Sequence, residues 1–143
     1  MFVDASAIVA ILTEEPDADA LAAALEGAEA PITSAVAIFE AALGLRRKRH
    51  ASVAEAYQDV RDFLAAAEVR PVPLGVREAE LALTAFDRYG KGRGHPAQLN
   101  LGDCFAYAAA SAHGAALLFK GEDFDKTDIA RAAPPAAAPP PAP

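Results

Sequence analysis

Short apolar runs alternate along this chain with longer segments in which apolar residues recur every three or four positions. The short runs predict β-strands and the longer segments predict helices, because a helix completes one turn in about 3.6 residues. Strands separated by helices of this length favour a mostly parallel sheet with helices on both faces, which is an α/β fold. Strands are predicted at 2–3, 30–33, 69–74 and 115–119, and helices at 5–13, 18–26, 35–48, 53–67, 76–89 and 103–113.

Several residues mark the ends of these elements. Asp17 and Ser34 precede helical segments and have side chains that commonly cap helices. Pro71 and Pro73 interrupt the third apolar run. Since proline donates no backbone hydrogen bond, this run is predicted to be an edge strand rather than a central one. The segment 90–102, which holds four glycines and a proline, is predicted to be a loop.

Glu40 interrupts the apolar positions of the helix at 35–48. It shares a helical face with Val36 and Leu43 and lies next to Phe39. A surface glutamate would be expected on the opposite side of the helix. Glu40 is therefore a candidate functional residue, and the alternative is an ion pair with a buried arginine.

Three further carboxylates lie where an α/β fold would bring them to one edge of the sheet. Asp4 follows the first apolar run, Asp103 opens an alanine-rich helical segment, and Asp123 comes shortly after the last apolar run. Ligands of such sheets bind beyond the carboxyl ends of the strands. Because a buried carboxylate is costly without a compensating cation, convergence with Glu40 predicts a hard divalent metal. Ser6 could orient the Asp4 carboxylate.

The aspartates also have purely structural interpretations. Asp4 and Asp103 are both placed to cap the helix that follows them. Asp123 lies in an acidic run with Asp125 and Asp128, which is typical of a solvated loop. The run is short and irregular, so periodicity does not tell which of its three aspartates points inward.

Composition narrows the classes of function. The chain has 143 residues, 53% hydrophobic and 23% charged, with a net charge of −7, which indicates one globular domain and argues against a general nucleic-acid coat. Cys104 is the only cysteine, so an internal disulfide and a cysteine-based zinc site are excluded. The histidines lack metal-ligand spacing, and there is neither a GxxxxGK[ST] phosphate loop nor a nucleophilic serine elbow. Without a signal peptide or an apolar run of about 20 residues, a soluble cytoplasmic protein without membrane association is expected.

The chain divides into a domain at 1–131 and a tail at 132–143. The tail consists of six prolines and six alanines. Repeated prolines exclude a helix, and the tail has no apolar core to bury. It is therefore predicted to be disordered or extended.

Four segments resemble a PIN domain of the VapC toxin type. They occur in the family's order across 1–131, and the segment that leads to Asp103 is particularly specific. The resemblance implies a three-layer α/β/α sandwich with a mostly parallel central sheet. The segments are 2–7 (FVDASA), 34–40 (SAVAIFE), 94–104 (GHPAQLNLGDC) and 117–124 (LLFKGEDF), the last followed by Thr127 and Asp128.

The same resemblance implies a Mg²⁺- or Mn²⁺-dependent endoribonuclease that acts as the toxin of a VapBC-type toxin–antitoxin pair. Asp4, Glu40 and Asp103 match the three best-defined acidic positions of the family, which are catalytic and hold the metal. Asp123 matches a fourth and less uniform position, and Asp128 is a further candidate.

The partners implied by the resemblance are RNA, a VapB-type antitoxin and a second copy of the chain in a homodimer. The antitoxin's C-terminal segment would block the acidic pocket, often with an arginine. Because the net charge is negative, RNA would be gripped by local basic residues, for which 46–49, Arg88, Lys91 and Arg93 are candidates. A solvated helix end accounts for these residues equally well.

Two alternatives belong to other classes of function. A receiver-type phospho-acceptor domain needs a lysine after a late strand, which Lys120 supplies, and an aspartate that ends a central strand. Ser34 and Gly75 follow the candidate strands instead, so this alternative fails. A non-catalytic PIN-like module that binds protein or RNA is the second alternative. Such modules usually lack metal ligands, and none is missing here.

Overall fold

Within the described residues, four short parallel strands form the centre of the fold, and six helices pack around them. The computed structural model of the chain describes residues 1–133 and 139–142. The elements are β1 (Phe2–Val3), α1 (Ala5–Leu12), α2 (Ala18–Glu26), β2 (Ile32–Ser34), α3 (Ala35–Arg49), α4 (Val53–Ala66), β3 (Arg70–Val72), α5 (Val76–Tyr89), α6 (Leu101–Ala112) and β4 (Leu117–Leu118), followed by a 3₁₀ turn at Asp123–Lys126.

The strand order is β3-β2-β1-β4, and every pairing is parallel. β3 lies at an edge of the sheet, as its prolines predict. Phe2 is in register with Ile32 on one side and Leu117 on the other. The carboxyl ends of β1 and β4 therefore lie side by side, and the residues that follow these strands meet at one edge of the sheet.

The two faces of the sheet bury separate apolar cores. Successive residues of a strand point to opposite faces. Phe2 accordingly packs into a core with α5 and α6, whereas Val3 packs into a core with α1, α2 and α4. Helices thus cover both faces of an all-parallel sheet, and the predicted three-layer α/β/α fold is confirmed.

Alanine allows the helices to approach the sheet closely. Ala37 and Ala41 on α3, and Ala106 and Ala109 on α6, are all buried. Small side chains bring the helix backbones near one another, so polar groups at the helix ends can reach a shared pocket.

Some predicted boundaries differ from the structure. Asp17 occupies the N-cap position of α2, but its side chain makes no capping hydrogen bond. α6 begins at Leu101 rather than at Asp103, because Asn100 caps it. The last strand comprises two residues instead of five, since hydrogen bonding in the sheet extends over only part of the apolar run.

The end of the domain is tied to the sheet by Arg131. It forms a parallel bridge with Leu117, lies over the Phe119 ring and makes two hydrogen bonds to Asp125. The predicted tail at 132–143 remains a prediction, because 134–138 and 143 lie outside the described residues. Among the described residues, no helix is long and apolar enough to cross a membrane.

Candidate active site

A pocket of about 440 Å³ opens at the carboxyl edge of the sheet. Its walls come from the end of β1, from α1, α3 and α6, and from the segment after β4. Three of the four predicted site residues line it, and basic side chains border it. The charged and polar lining residues are Asp4, Ser6, Glu15, Glu40, Arg47, Lys48, Asp103 and Lys120.

Asp4 follows β1 and is the N-cap of α1. Its Oδ2 accepts hydrogen bonds from the Ser6 backbone N–H at 3.0 Å and from the Ser6 hydroxyl at 2.5 Å. The Ser6 hydroxyl accepts in turn from the Lys120 backbone N–H at 3.0 Å. The capping role and the place in the pocket therefore coexist, because the cap occupies one carboxylate oxygen. Ser6 orients Asp4, as the sequence suggested.

Asp103 is fixed by a reciprocal capping box at the start of α6. Its Oδ2 accepts from the Asn100 N–H at 3.1 Å, and its own N–H donates to Asn100 Oδ1 at 2.9 Å. Asp103 is thus the third residue of the helix rather than its cap. Its Oδ1 accepts no hydrogen bond from the described residues, so one oxygen is held and the other is available.

Glu40 is half-buried and lies beside the buried face of α3 rather than on a fully apolar face. The buried side of this helix is formed mainly by alanines, while Phe39 is 64% exposed. The predicted apolar face is therefore wrong in detail, because the buried side consists of Ala37, Ala41, Ala42 and Leu45, whereas Phe39 is exposed. The alternative of a buried arginine partner also fails, since Glu40 makes no ion pair with any described residue.

Gly102 makes room for the Glu40 carboxylate. A methyl group at position 102 would come within 2.1 Å of Glu40 Oε1 and 2.3 Å of Oε2. Any residue with a Cβ would therefore displace the carboxylate. This close approach is what brings Glu40 on α3 next to Asp103 on α6.

Burial disfavours the ionised forms of the three carboxylates, and neighbouring charges add to this effect at Glu40 and Asp103. Burial, followed by the charges of Asp4 and Asp103, raises the pKa of Glu40 to about 7. Burial and the charge of Asp4 also raise the pKa of Asp103 to about 6, against the lowering effect of the Asn100 N–H. The pKa of Asp4 is raised by burial, although the hydrogen bonds from Ser6 oppose the shift. Such a group of buried acids is stabilised by a cation.

Asp123 lies at the start of the 3₁₀ turn and is exposed. It does not line the pocket, but its charge contributes to the raised pKa of Asp103. Asp125 forms an ion pair with Arg131, and Asp128 accepts hydrogen bonds from Tyr107 and Arg88. Within the described part of the chain, Asp123 alone of these three aspartates has no such partner, which favours it as the fourth acidic residue.

The donor chemistry of the pocket fits a hard divalent cation. Carboxylate oxygens are the ligands that Mg²⁺ and Mn²⁺ prefer, and neither oxygen of Glu40 accepts a hydrogen bond from a described residue. Across residues 1–133 and 139–142, no three His, Cys, Asp or Glu side chains are drawn together to metal-ligand spacing. The fit to a divalent cation therefore rests on the carboxylate donors and on those of their oxygens that accept no hydrogen bond from a described residue.

Sequence reasoning missed Glu15 and gave Lys120 no place in the pocket. Glu15 follows the C-terminal end of α1, where an acidic turn before a proline is typical of a solvated loop. Only the packing of α1 against the segment after β4 brings Glu15 to Lys120. A proline directly after Glu15 was the only local signal that the turn is rigid.

The metal-free protein should become less stable as the pH rises through neutrality. The folded-state pKa values of Glu40 and Asp103, about 7 and about 6, lie above the ordinary 4.5 and 3.8. The folded state therefore holds more protons in this window, and the free energy of unfolding falls as the pH rises. Calorimetry in chelator should give a melting temperature roughly 5 °C higher at about pH 5 than at about pH 8.

A Glu40→Gln variant is the control for this pH dependence. It should lose most of the difference, because glutamine does not titrate. The lowered pKa values of Asp125 and Asp128 affect stability only at more acidic pH. An equal difference in the variant and the parent would show that the acidic pocket does not cause it.

Known proteins match this chain over nearly its whole length. A family model described as PIN domain matches residues 1–130, so the sandwich with its acidic edge is a PIN domain. A VapC ribonuclease of Rhizobium meliloti is 42% identical, with 90% of this chain and 98% of that protein covered. Ribonuclease VapC30 of Mycobacterium tuberculosis is 42% identical, with 94% and 100% covered. The chain belongs to the PIN-domain family, among its VapC ribonucleases, as the resemblance predicted.

A solved structure shares the fold at much lower identity. The crystal structure of Mycobacterium tuberculosis VapC20, described as a Sarcin-Ricin loop cleaving toxin, has a TM-score of 0.73 and 15% identity. It covers 93% of this chain and 98% of its own. At this identity the comparison shows a common fold.

Proposed function

We propose that this VapC-type ribonuclease is the toxin of a VapBC-type pair and hydrolyses RNA phosphodiester bonds with Mg²⁺ or Mn²⁺ held by carboxylates. One observation carries the proposal. Asp4, Glu40 and Asp103 come from three separate elements, line one pocket and have no cationic partner among the described residues. Burying such a group is unfavourable unless a cation joins it.

The proposed ligands are Asp4, Glu40 and Asp103, with Asp123 as the fourth acidic residue. A bound divalent cation supplies charge for the phosphate oxygens and lowers the pKa of the attacking water. Ser6 and Asn100 each hold one oxygen of a neighbouring aspartate, which leaves the other oxygen for a ligand. Water would attack phosphorus and the P–O3′ bond would break, leaving 5′-phosphate and 3′-hydroxyl ends.

Ion pairs within the protein distinguish among the basic residues that are proposed to contact RNA. Arg49 pairs with Asp59, Arg88 with Asp128 and Arg93 with Asp87, so these cations are partly neutralised. Arg47 lines the acidic pocket and makes no ion pair with a described residue. Within the predicted basic run at 46–49, Arg47 is therefore one candidate for a phosphate contact near the carboxylates.

The proposed protein partner is a VapB-type antitoxin, and the family relationship supports it. An acidic pocket favours an arginine guest that pairs with a carboxylate through two hydrogen bonds. A homodimer and cytoplasmic action on RNA are further parts of the proposal. Gel filtration of the purified chain over a range of concentrations would test the homodimer.

Cleavage of a small-RNA pool by the purified full-length protein, freed of any antitoxin, tests the proposed activity. Discrete products are expected with Mg²⁺ or Mn²⁺, and none with chelator. Their 5′ ends should ligate directly to an adaptor that requires a 5′-phosphate. Cleavage that persists in chelator would contradict the metal-dependent mechanism. Metal binding without cleavage of any RNA would favour the non-catalytic module.

A further inference from the structure

Glu15 joins two lysines at the border of the acidic pocket. Lys48 comes from the last turn of α3 and contacts Glu15 Oε1, whereas Lys120 follows β4 and contacts Oε2. The Glu15 side chain is only 15% exposed, but those of Lys48 and Lys120 are 48% and 38% exposed. One largely buried carboxylate thus holds two accessible ammonium groups beside the pocket.

The backbone around Glu15 is fixed on both sides. Glu14 adopts a left-handed conformation with φ 51° after the last turn of α1. The Glu15 N–H donates to the Ala10 carbonyl at 3.0 Å, and the Glu15 carbonyl accepts from the Ala18 N–H at 2.8 Å. The first contact is the helix-ending bond of a Schellman motif, which usually has glycine at the left-handed position. Glu15 is therefore placed by a defined turn.

The lysine pair is also connected to the carboxylates. The Lys120 backbone N–H donates to the Ser6 hydroxyl, and that hydroxyl donates to Asp4 Oδ2. The segment carrying Lys120 is therefore at a fixed distance from Asp4. Arg47, one residue before Lys48, lines the same pocket.

The bridge through Glu15 leaves donors free on both lysines. An ammonium group has three N–H donors, and Glu15 occupies one on each lysine. Asp17 Oδ1 lies further from Lys120, at 3.7 Å. Donors therefore remain for another oxygen-rich anion.

We propose that Lys48, Glu15 and Lys120 form a phosphate-binding subsite for the RNA backbone next to the bond that is cut. Lys48 and Lys120 contact the phosphate, and Glu15 is a positioning residue that holds both. The subsite rests on the proposed ribonuclease function.

The test measures RNA binding separately from cleavage. A short fluorescein-labelled single-stranded RNA is titrated with the full chain in chelator, over a range of salt concentrations. Lys48→Gln and Lys120→Gln should each weaken binding about ten-fold and reduce the slope of log K against log salt by about 0.7. The matched control is Arg61→Gln, which removes an exposed cation on α4 outside the pocket. It should leave the slope unchanged.

Glu15→Gln separates positioning from binding. This variant keeps both lysines, so RNA binding in chelator should stay within about two-fold or become tighter, with an unchanged salt slope. Its cleavage rate with saturating Mg²⁺ should fall about ten-fold, and Glu15→Asp should restore part of it. A purely structural role would instead lower binding and cleavage together, in proportion to the folded fraction seen in a thermal melt.

Two results would overturn the subsite. One is a salt slope for Lys48→Gln and Lys120→Gln equal to that of Arg61→Gln. The other is a Glu15→Gln variant that cleaves as fast as the parent. Binding in chelator needs no turnover. If the parent protein cuts no RNA but the lysine variants still show a reduced salt slope, the subsite is supported and the proposed activity is disproved.

Discussion

Replacing Asp103 by asparagine is expected to lower the rate of RNA cleavage by about a thousand-fold while the protein stays folded. Asparagine has no charge with which to hold a divalent cation. Its amide oxygen can still accept the Asn100 N–H, so the cap of α6 is kept. Since the pKa of Asp103 is raised by burial and by neighbouring charge, the metal-free variant should melt at the same temperature or higher at about pH 8. Single-turnover cleavage and a thermal melt measure the two effects.

The acidic run after β4 provides matched controls for Asp103→Asn. Asp123→Asn should lower the cleavage rate by about ten-fold or more, because it removes the carboxylate proposed as the fourth acidic residue. Asp125→Asn removes the same charge two residues away, but Asp125 pairs with Arg131, and its rate should change by less than about three-fold. A folded Asp103→Asn variant with a rate within about ten-fold of the parent would contradict the role given to Asp103.

Replacing Gly102 by alanine is expected to lower cleavage by about a hundred-fold with little change in stability. The new methyl group would come within 2.1 Å of Glu40 Oε1. The end of a flexible glutamate can move away at low cost, and alanine favours a helix over glycine by about 1 kcal/mol. The carboxylate would be displaced from the pocket while the fold stays intact. Cleavage assays and calorimetry would report the two quantities independently.

Gly75→Ala is the matched control for Gly102→Ala. Gly75 also lies at the start of a helix, and the nearest atom to an added Cβ is Glu78 Oε2 at an ordinary 3.4 Å. This variant should cleave RNA at the parental rate. If Gly102→Ala were equally active, the position of Glu40 against Gly102 would be unimportant for the reaction. A strongly destabilised Gly102→Ala would show that the methyl group displaces backbone and not only Glu40.

Most elements of the fold follow from local patterns. The helices at 35–48 and 76–89 were predicted to within a residue, because Ser34 caps the first and Gly75 and Gly90 flank the second. The strands were less exact, since a strand of two or three residues is defined by its neighbours and not by its own periodicity. Asp17 shows the limit of cap rules, because its backbone is at the cap position while its side chain lies near Lys120.

For the candidate site as well, some features could be predicted from the sequence and others could not. The acidic residues could be selected from the sequence, because a carboxylate among apolar residues or after a strand is unusual. The contact of Glu40 with Gly102 and the bridge from Glu15 to Lys48 and Lys120 could not. Those contacts join residues far apart in the chain, and no local pattern records them.

By itself, the sequence determined the alternation of strands and helices, the edge position of β3 and the family to which the chain belongs. Capping residues, prolines and the spacing of apolar residues specify the elements and the edge strand wherever the segment lies, and the resemblance of four segments indicated the family. The tertiary structure alone decided which oxygens of the acidic residues are held, which of the late aspartates lacks a partner, and which lysines border the pocket. These features depend on the distances between separate elements, which the packing of α1, α3 and α6 around β1 sets.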